Sequence, residues 1–149
     1  MMDQIEIRSP KTESEWKQYD DFRWEILRKP LNIPHIPLKD DLEDRSYHFM
    51  AITSSKEIVA CGRLHMNNSE EAQIRYMGVS ENRRRMGLGK LIVKRLENQA
   101  ELLGAKSIIL NARDVALDFY ESLGYIEIEP YLSDTSIPHT KMKKILCTL

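Results

Sequence analysis

The sequence predicts an α/β domain of the α+β kind, in which a mixed, mostly antiparallel, twisted sheet of about six or seven strands is flanked by helices. Period-two alternation of apolar and polar residues fills the central part of the chain and returns at its end, marking strands. Two segments with helical periodicity interrupt it after Gly87 and Asp114. The three central strands are joined by turns too short for a crossover, which makes them antiparallel neighbours.

QIEIR, residues 4 to 8, alternates and stops at Ser9-Pro10, so the first strand is short. Thr12 followed by Glu15 is a capping-box pattern. It opens a helix whose apolar stripe is Trp16, Tyr19, Phe22, Ile26 and Leu27 and which Pro30 terminates, with Arg23 on the same stripe. Pro30, Pro34 and Pro37 then impose an ordered, non-helical loop leading to a turn of helix at residues 40 to 44. SYHFMAITS, EIVACGRLHM and AQIRYMGVS read as three strands parted by SSK and NNSE. Gly62 and Gly78 inside them predict bulges or close approaches to the backbone.

After Gly87 the stripe Leu88, Leu91, Ile92, Leu96, Gln99 and Leu103 is helical, and Gly104 is placed as its C-cap. KSIILNA is continuously apolar, the signature of a strand covered on both faces. Asp114 is read as the cap of a further helix carrying Ala116, Phe119, Tyr120 and Leu123 and ended by Gly124. YIEIEP and HTKMKKIL complete the sheet. The strand, helix, strand unit around residues 88 to 104 must cross over right-handedly, so the strands it joins are parallel. No linker, repeat or low-complexity segment divides the chain, and residues 1 to 149 are expected to form one domain.

A formal charge of −1 gives the molecule no overall field for nucleic acid or an acidic membrane, so an anion site must be local. Cys61 and Cys147 lie too far apart for ligand spacing, and both are expected as reduced thiols without metal. MMDQIEIRSP has no signal-peptide run and no 18-residue apolar stretch occurs, which places the expectation in the cytoplasm.

The local anion site is RRRMGLGK, residues 83 to 90. A strand ends at Val79, a short basic loop follows, and Gly87 and Gly89 fall where the helix starts. A helix's first turn offers unpaired N–H groups and partial positive charge, and glycines admit a ligand without a Cβ in its way. With Arg83, Arg84, Arg85 and Lys90 beside them, these groups favour a di- or polyphosphate. A Walker A loop is excluded, because Leu91 follows Lys90 where Ser or Thr is needed; a dinucleotide fingerprint lacks its third glycine, since Ile92 stands there.

Arg84-Arg85-Met86-Gly87-Leu88-Gly89 after Val79 resembles the Arg/Gln-x-x-Gly-x-Gly/Ala signature of the GNAT superfamily of N-acetyltransferases, and LNARDVALDFYESLGY resembles that superfamily's next motif. The likeness spans nearly the whole chain and is weakest over residues 10 to 45; the ending SIPHTKMKK is similar to a branch of small bacterial members. The resemblance implies a GNAT-like fold with acetyl-CoA as acyl donor and no metal. Coenzyme A is then held by Arg84, Arg85, Met86, Gly87, Leu88, Gly89 and Lys90 at its pyrophosphate, with the backbone of Met77, Gly78 and Val79 along pantetheine and Asn111 nearby. Tyr120 matches the tyrosine that protonates the departing thiolate.

The likeness departs from the pattern at the general base, where some members carry Glu and this chain has Gln73, which cannot take a proton. Glu71, His48, His65 and His139, a water chain, or an amine that arrives already neutral are the alternatives. Arg23, costly on an apolar stripe unless paired, is expected to meet an internal carboxylate such as Asp44, or a carboxylate of the substrate. The expected function is acetyl transfer to a primary amine of a small molecule or a protein by direct attack in a ternary complex. The alternative is a coenzyme A-binding module without catalysis. Neither nucleic acid nor membrane is an expected partner, and a homodimer is an open possibility.

Overall fold

The structure is a computed structural model that describes residues 4–33, 36–133 and 135–146. Its frame is one seven-stranded sheet: β1 (Ile5–Arg8), β2 (Tyr47–Thr53), β3 (Ile58–Met66), β4 (Glu71–Val79), β5 (Ser107–Arg113), β6 (Ile126–Tyr131) and β7 (His139–Ile145). The strands lie in the order β1-β2-β3-β4-β5-β7-β6, with β7 inserted between β5 and β6. Every neighbouring pair is antiparallel except β4 and β5. Those two are joined by α2 (Leu88–Leu102), whose passage between them requires parallel pairing.

Two apolar clusters fix the layers. On one face, Leu88, Ile92, Val93, Leu96 and Ala100 of α2 pack on Leu64, Ile74, Ile108 and Leu110. Leu91, expected on the buried stripe, is exposed, and Val93 takes its place. α2 ends as anticipated, with Gly104 at φ +83° and the Ala105 N–H donating to the Ala100 carbonyl. On the other face, α1 (Glu13–Leu27) contributes Tyr19 to a cluster with Met50, Ile52, Ile58 and Cys61, while Phe22 and Ile26 pack at its margin. Cys61 is a buried free thiol; Cys147 lies outside the described residues.

The N-terminus of α1 is capped by Thr12, whose Oγ1 accepts from the Glu15 N–H at 3.1 Å. Glu15 does not close the box on Thr12. Its carboxylate accepts instead from the Lys11 N–H and from Nη1 and Nη2 of Arg8, which tie β1 to the helix and hold Glu15 down at about 2.

Two further expectations change in detail. The turn placed at residues 40 to 44 is a 3-10 turn at Glu43–Arg45. The last helix, α3, covers only Leu117–Ser122 after a 3-10 turn at Asp114–Ala116, and Asp114 does not cap it, because its Oδ1 accepts from the Thr140 hydroxyl at 2.8 Å.

The departure from regularity that positions the site lies in β4. Cys61 pairs with Gly78 and Arg63 with Arg75, so Gly62 alone faces both Tyr76 and Met77. This bulge puts Tyr76 at φ +57° and bends the strand. β4 and β5 consequently pair only from Glu71–Ser107 to Ile74–Leu110, then part, while β5 stays paired to β7 as far as Arg113–His139.

Candidate active site

The parting of β4 and β5 opens a cavity of about 320 Å³. Gln73 to Met77 line one wall and Leu110, Asn111 and Arg113 the other; Tyr120 of α3 also lines it, and Ile26 to Arg28, Tyr131, Ile137 and His139 contribute further lining. Beyond Ile74 the β5-facing backbone edge of β4 has no strand partner, leaving peptide groups for an extended, amide-bearing ligand.

The basic corner forms a separate, exposed lip at the start of α2. Arg84, Arg85, Met86, Gly87 and Lys90 are all exposed. Gly87 sits at φ +79° as the N-cap residue, no side chain caps the helix, and a Cβ at Gly87 would meet nothing within 4 Å. The N–H groups of the first turn therefore have no side-chain cap among the described residues, and with the exposed Arg84, Arg85 and Lys90 beside them the arrangement fits a diphosphate. Arg83 is already spent on Glu57, at 3.0 Å.

The two other glycines have packing duties. A Cβ on Gly89 would lie 3.1 Å from the Phe119 ring, and one on Gly78 would collide with the Ile26 Cδ1 atom. Gly78 is needed for α1 to reach the sheet. Leu88 is buried in the core, and the Met77 side chain packs against that core. Asn111 lines the cavity but does not end its strand, which runs on to Arg113.

Tyr120 is 8% exposed and makes edge contacts with Phe119 and Tyr125, at 4.9 and 5.9 Å between ring centroids. Burial pushes its phenol pKa up, which keeps the proton on the oxygen at neutral pH.

The candidates for the base separate cleanly. His48 is held at both nitrogens, by the Tyr19 hydroxyl at 2.8 Å and the Glu43 carbonyl at 2.9 Å. His65 is 2% exposed and does not line the cavity; burial, with Arg63 and Arg75 nearby, lowers its pKa to about 4. Glu71 stands where β4 begins, pairs with Ser107 and accepts from Asn67 at 3.0 Å. His139 does line the cavity, and its Nδ1 lies 2.6 Å from the Ile137 carbonyl. A carbonyl only accepts, so this contact fixes the proton on Nδ1 and leaves the lone pair of the neutral ring on Nε2. Gln73 lines the same cavity, with its Oε1 taken by Asn67 Nδ2 at 3.0 Å.

Arg23 does not reach the cavity. It is fully buried, with Nη2 2.7 Å from Glu43 and 2.7 Å from Asp20; the exposed Asp44 is not its partner.

The model of the Acetyltransferase (GNAT) domain matches residues 32–146 of this sequence. The chain belongs to the GNAT acetyltransferase family. It is 33% identical over 135 residues to the Bacillus subtilis (strain 168) protein described as uncharacterized N-acetyltransferase YjcF, covering 90% of this chain and 95% of that one. Among solved structures, Escherichia coli ElaA superposes with a TM-score of 0.79 at 25% identity, over 96% of this chain and 99% of that one. An aminoglycoside 6'-N-acetyltransferase complexed with coenzyme A shares the fold, with a TM-score of 0.74 at 16% identity and 98% coverage of both chains. The chain is thus a GNAT N-acetyltransferase, from a family whose acyl donor is acetyl-CoA.

Among the cavity residues missed in the sequence are Arg75 and Arg113, which carried no motif; only strand register brings them to one cavity, Arg75 on the β4 wall and Arg113 on the β5 wall.

Proposed function

We propose that the protein transfers the acetyl group of acetyl-CoA to a primary amine by direct attack within a ternary complex. The observation that carries this reading is the cavity between parted β4 and β5, with Tyr120 on its wall and the open α2 N-terminus at the end of the same strand. The diphosphate lies on the amides from Gly87 to Lys90 with Arg84, Arg85 and Lys90 around it, and pantetheine runs along the backbone of Met77, Gly78 and Val79 past Asn111. The amine nitrogen attacks the thioester carbonyl, the carbon–sulfur bond breaks, and the sulfur takes a proton from Tyr120. Burial keeps the phenol protonated at neutral pH, so its proton is present when the thiolate forms.

The proton lost by the amine goes to His139, directly or through a water. Its Nε2 lone pair, fixed by the Ile137 carbonyl, supports that role, which Gln73 cannot fill. Holding both reactants in one cavity supplies much of the acceleration. Thiol release from acetyl-CoA on addition of a panel of primary amines tests the reading. Protein-dependent release with one class of amine is expected, and binding of coenzyme A without release for any amine would contradict it.

A further inference from the structure

The cavity has a charge pattern that the acetyl donor does not explain. Among the described residues lining it are Arg28, Arg75, Arg113 and His139, and no aspartate or glutamate. An amine acceptor is itself cationic in water, so a site for a polyamine or other polycation would be expected to carry carboxylates. Here the sign is reversed.

Sheet register explains how the pattern arises. Arg63 pairs with Arg75, Gln73 with Ile109, Asn111 with Lys141 and Arg113 with His139. Paired residues share a face, so Arg63, Arg75, Arg113, His139 and Lys141 stand on one face of the sheet from β3 across to β7, with Glu129 of β6 beside Lys141 on the same face.

Two of these arginines have donors to spare. Arg63, fully buried, takes both oxygens of Asp40 at 2.9 Å each. Arg75 is left with one longer bond of 3.3 Å to an Asp40 oxygen already in use, while its side chain stays 38% exposed. Its guanidinium lies 5.4 Å from the centre of the Tyr76 ring, at the bulge that opens the cavity. Arg113 is exposed at the end of β5 and has no carboxylate partner among the described residues. The carboxamide of Gln73, whose oxygen is occupied, keeps its N–H donors on the same face.

We propose that the acceptor amine carries a carboxylate, bound by Arg75 of the β4 wall and Arg113 of the β5 wall of the cavity. The acceptor is then an amino-acid-like amine, its carboxylate held between these arginines while its nitrogen meets the thioester. This rests on the acetyl-transfer reading above. Charge-assisted, two-point contact between arginines and a carboxylate is strong and directional, so it orients the amine as well as selecting it.

The test is thiol release from acetyl-CoA with matched probes: glycine against glycinamide, L-phenylalanine against its amide, L-glutamate against L-glutamine, with O-phosphoethanolamine and spermidine as further arms. The carboxylate member of the α-carboxylate pairs is expected to have kcat/KM about tenfold or more above its amide. In Arg113→Gln that ratio falls toward one through KM for the acid, while KM for acetyl-CoA holds; Arg113→Glu inverts the ratio. Thermal melting verifies that both variants fold, which the exposed position of Arg113 predicts. Amides or spermidine turned over as well as the acids would overturn the proposal. So would preference for phosphoethanolamine, which would assign these arginines to a phosphate. An equal loss of acetyl-CoA affinity in Arg113→Gln would assign Arg113 to the donor. A protein that binds acetyl-CoA yet acetylates no carboxylate probe also overturns it and leaves acetyl transfer standing, whereas failure to bind coenzyme A at all would remove the underlying reading.

Discussion

Nη2 of Arg23 lies 2.7 Å from Oε2 of Glu43, and through Glu43 the helix α1 is joined to Arg63 of β3, whose Nη1 lies 3.2 Å from the other oxygen. Both guanidinium groups are buried, so Glu43 compensates two charges that water cannot reach. Glu43→Gln should therefore destabilise the fold by about 3 kcal/mol, read by urea denaturation. A loss below about 0.5 kcal/mol, ordinary for an exposed pair, would contradict the assignment.

The same network sets the acid limit. Burial of Glu43 acts to raise its pKa, but the hydrogen bonds and charge of Arg23, with Arg63, outweigh it and the net shift is downward; Asp40 is lowered in the same way by Arg63. Stability from these carboxylates is complete above their unfolded pKa values and is lost as pH falls through the lowered ones.

His65 acts in a higher window. Its pKa of about 4 lies below its unfolded value, so between about pH 6.5 and 4 the unfolded chain binds a proton that the folded chain refuses. Stability from this residue is full above that window and falls by about 3 kcal/mol on crossing it. His48, also lowered by burial, adds in the same direction. Denaturation midpoints measured from pH 7 to 4 should show this slope, and His65→Gln should flatten it; an unchanged slope would mean that the buried ring is not the proton acceptor.

Gly78→Ala separates packing from ligand binding. The new methyl group meets Ile26, so a cost of about 1 to 3 kcal/mol is expected, relieved by adding Ile26→Val. Coenzyme A affinity of the folded variant, measured by calorimetry, should stay close to that of the parent. A stable variant with lost affinity would return Gly78 to the cofactor.

Tyr120→Phe should lower kcat by about 100-fold with little change in KM for acetyl-CoA, since only the proton donor is removed. Steady-state kinetics at saturating amine would show it. An equal rise in KM would make Tyr120 a packing residue of the α3 aromatic cluster.

Local chemistry was the most legible part of the sequence. The Thr12 cap, the β2 to β4 hairpins and the Gly104 terminus depend on residues a few positions apart, and each lies where the pattern put it. Glycines were harder, because a missing Cβ reveals that space is needed but not by what. Gly87 faces open space at the basic corner, whereas Gly78 and Gly89 make room for Ile26 and Phe119. Arg23 announced a buried partner, yet Glu43 rather than Asp44 supplies it, since a 3-10 turn decides which carboxylate points inward. Arg75 and Arg113 were invisible because their arrival at one cavity depends on the parallel pairing of β4 with β5 and on a bulge at Tyr76, neither of which is encoded by nearby residues.

The central claim is that the α2 N-terminus and the parted edge of β4 together hold coenzyme A. Backbone amide NMR during a coenzyme A titration tests it most directly. Saturable shifts at Gly87, Leu88, Gly89 and Lys90 together with Met77 and Gly78, weakened in Arg84→Ala and abolished in Gly87→Glu, are the predicted result. Shifts confined to other parts of the sheet, or identical titrations in the parent and both variants, would contradict it.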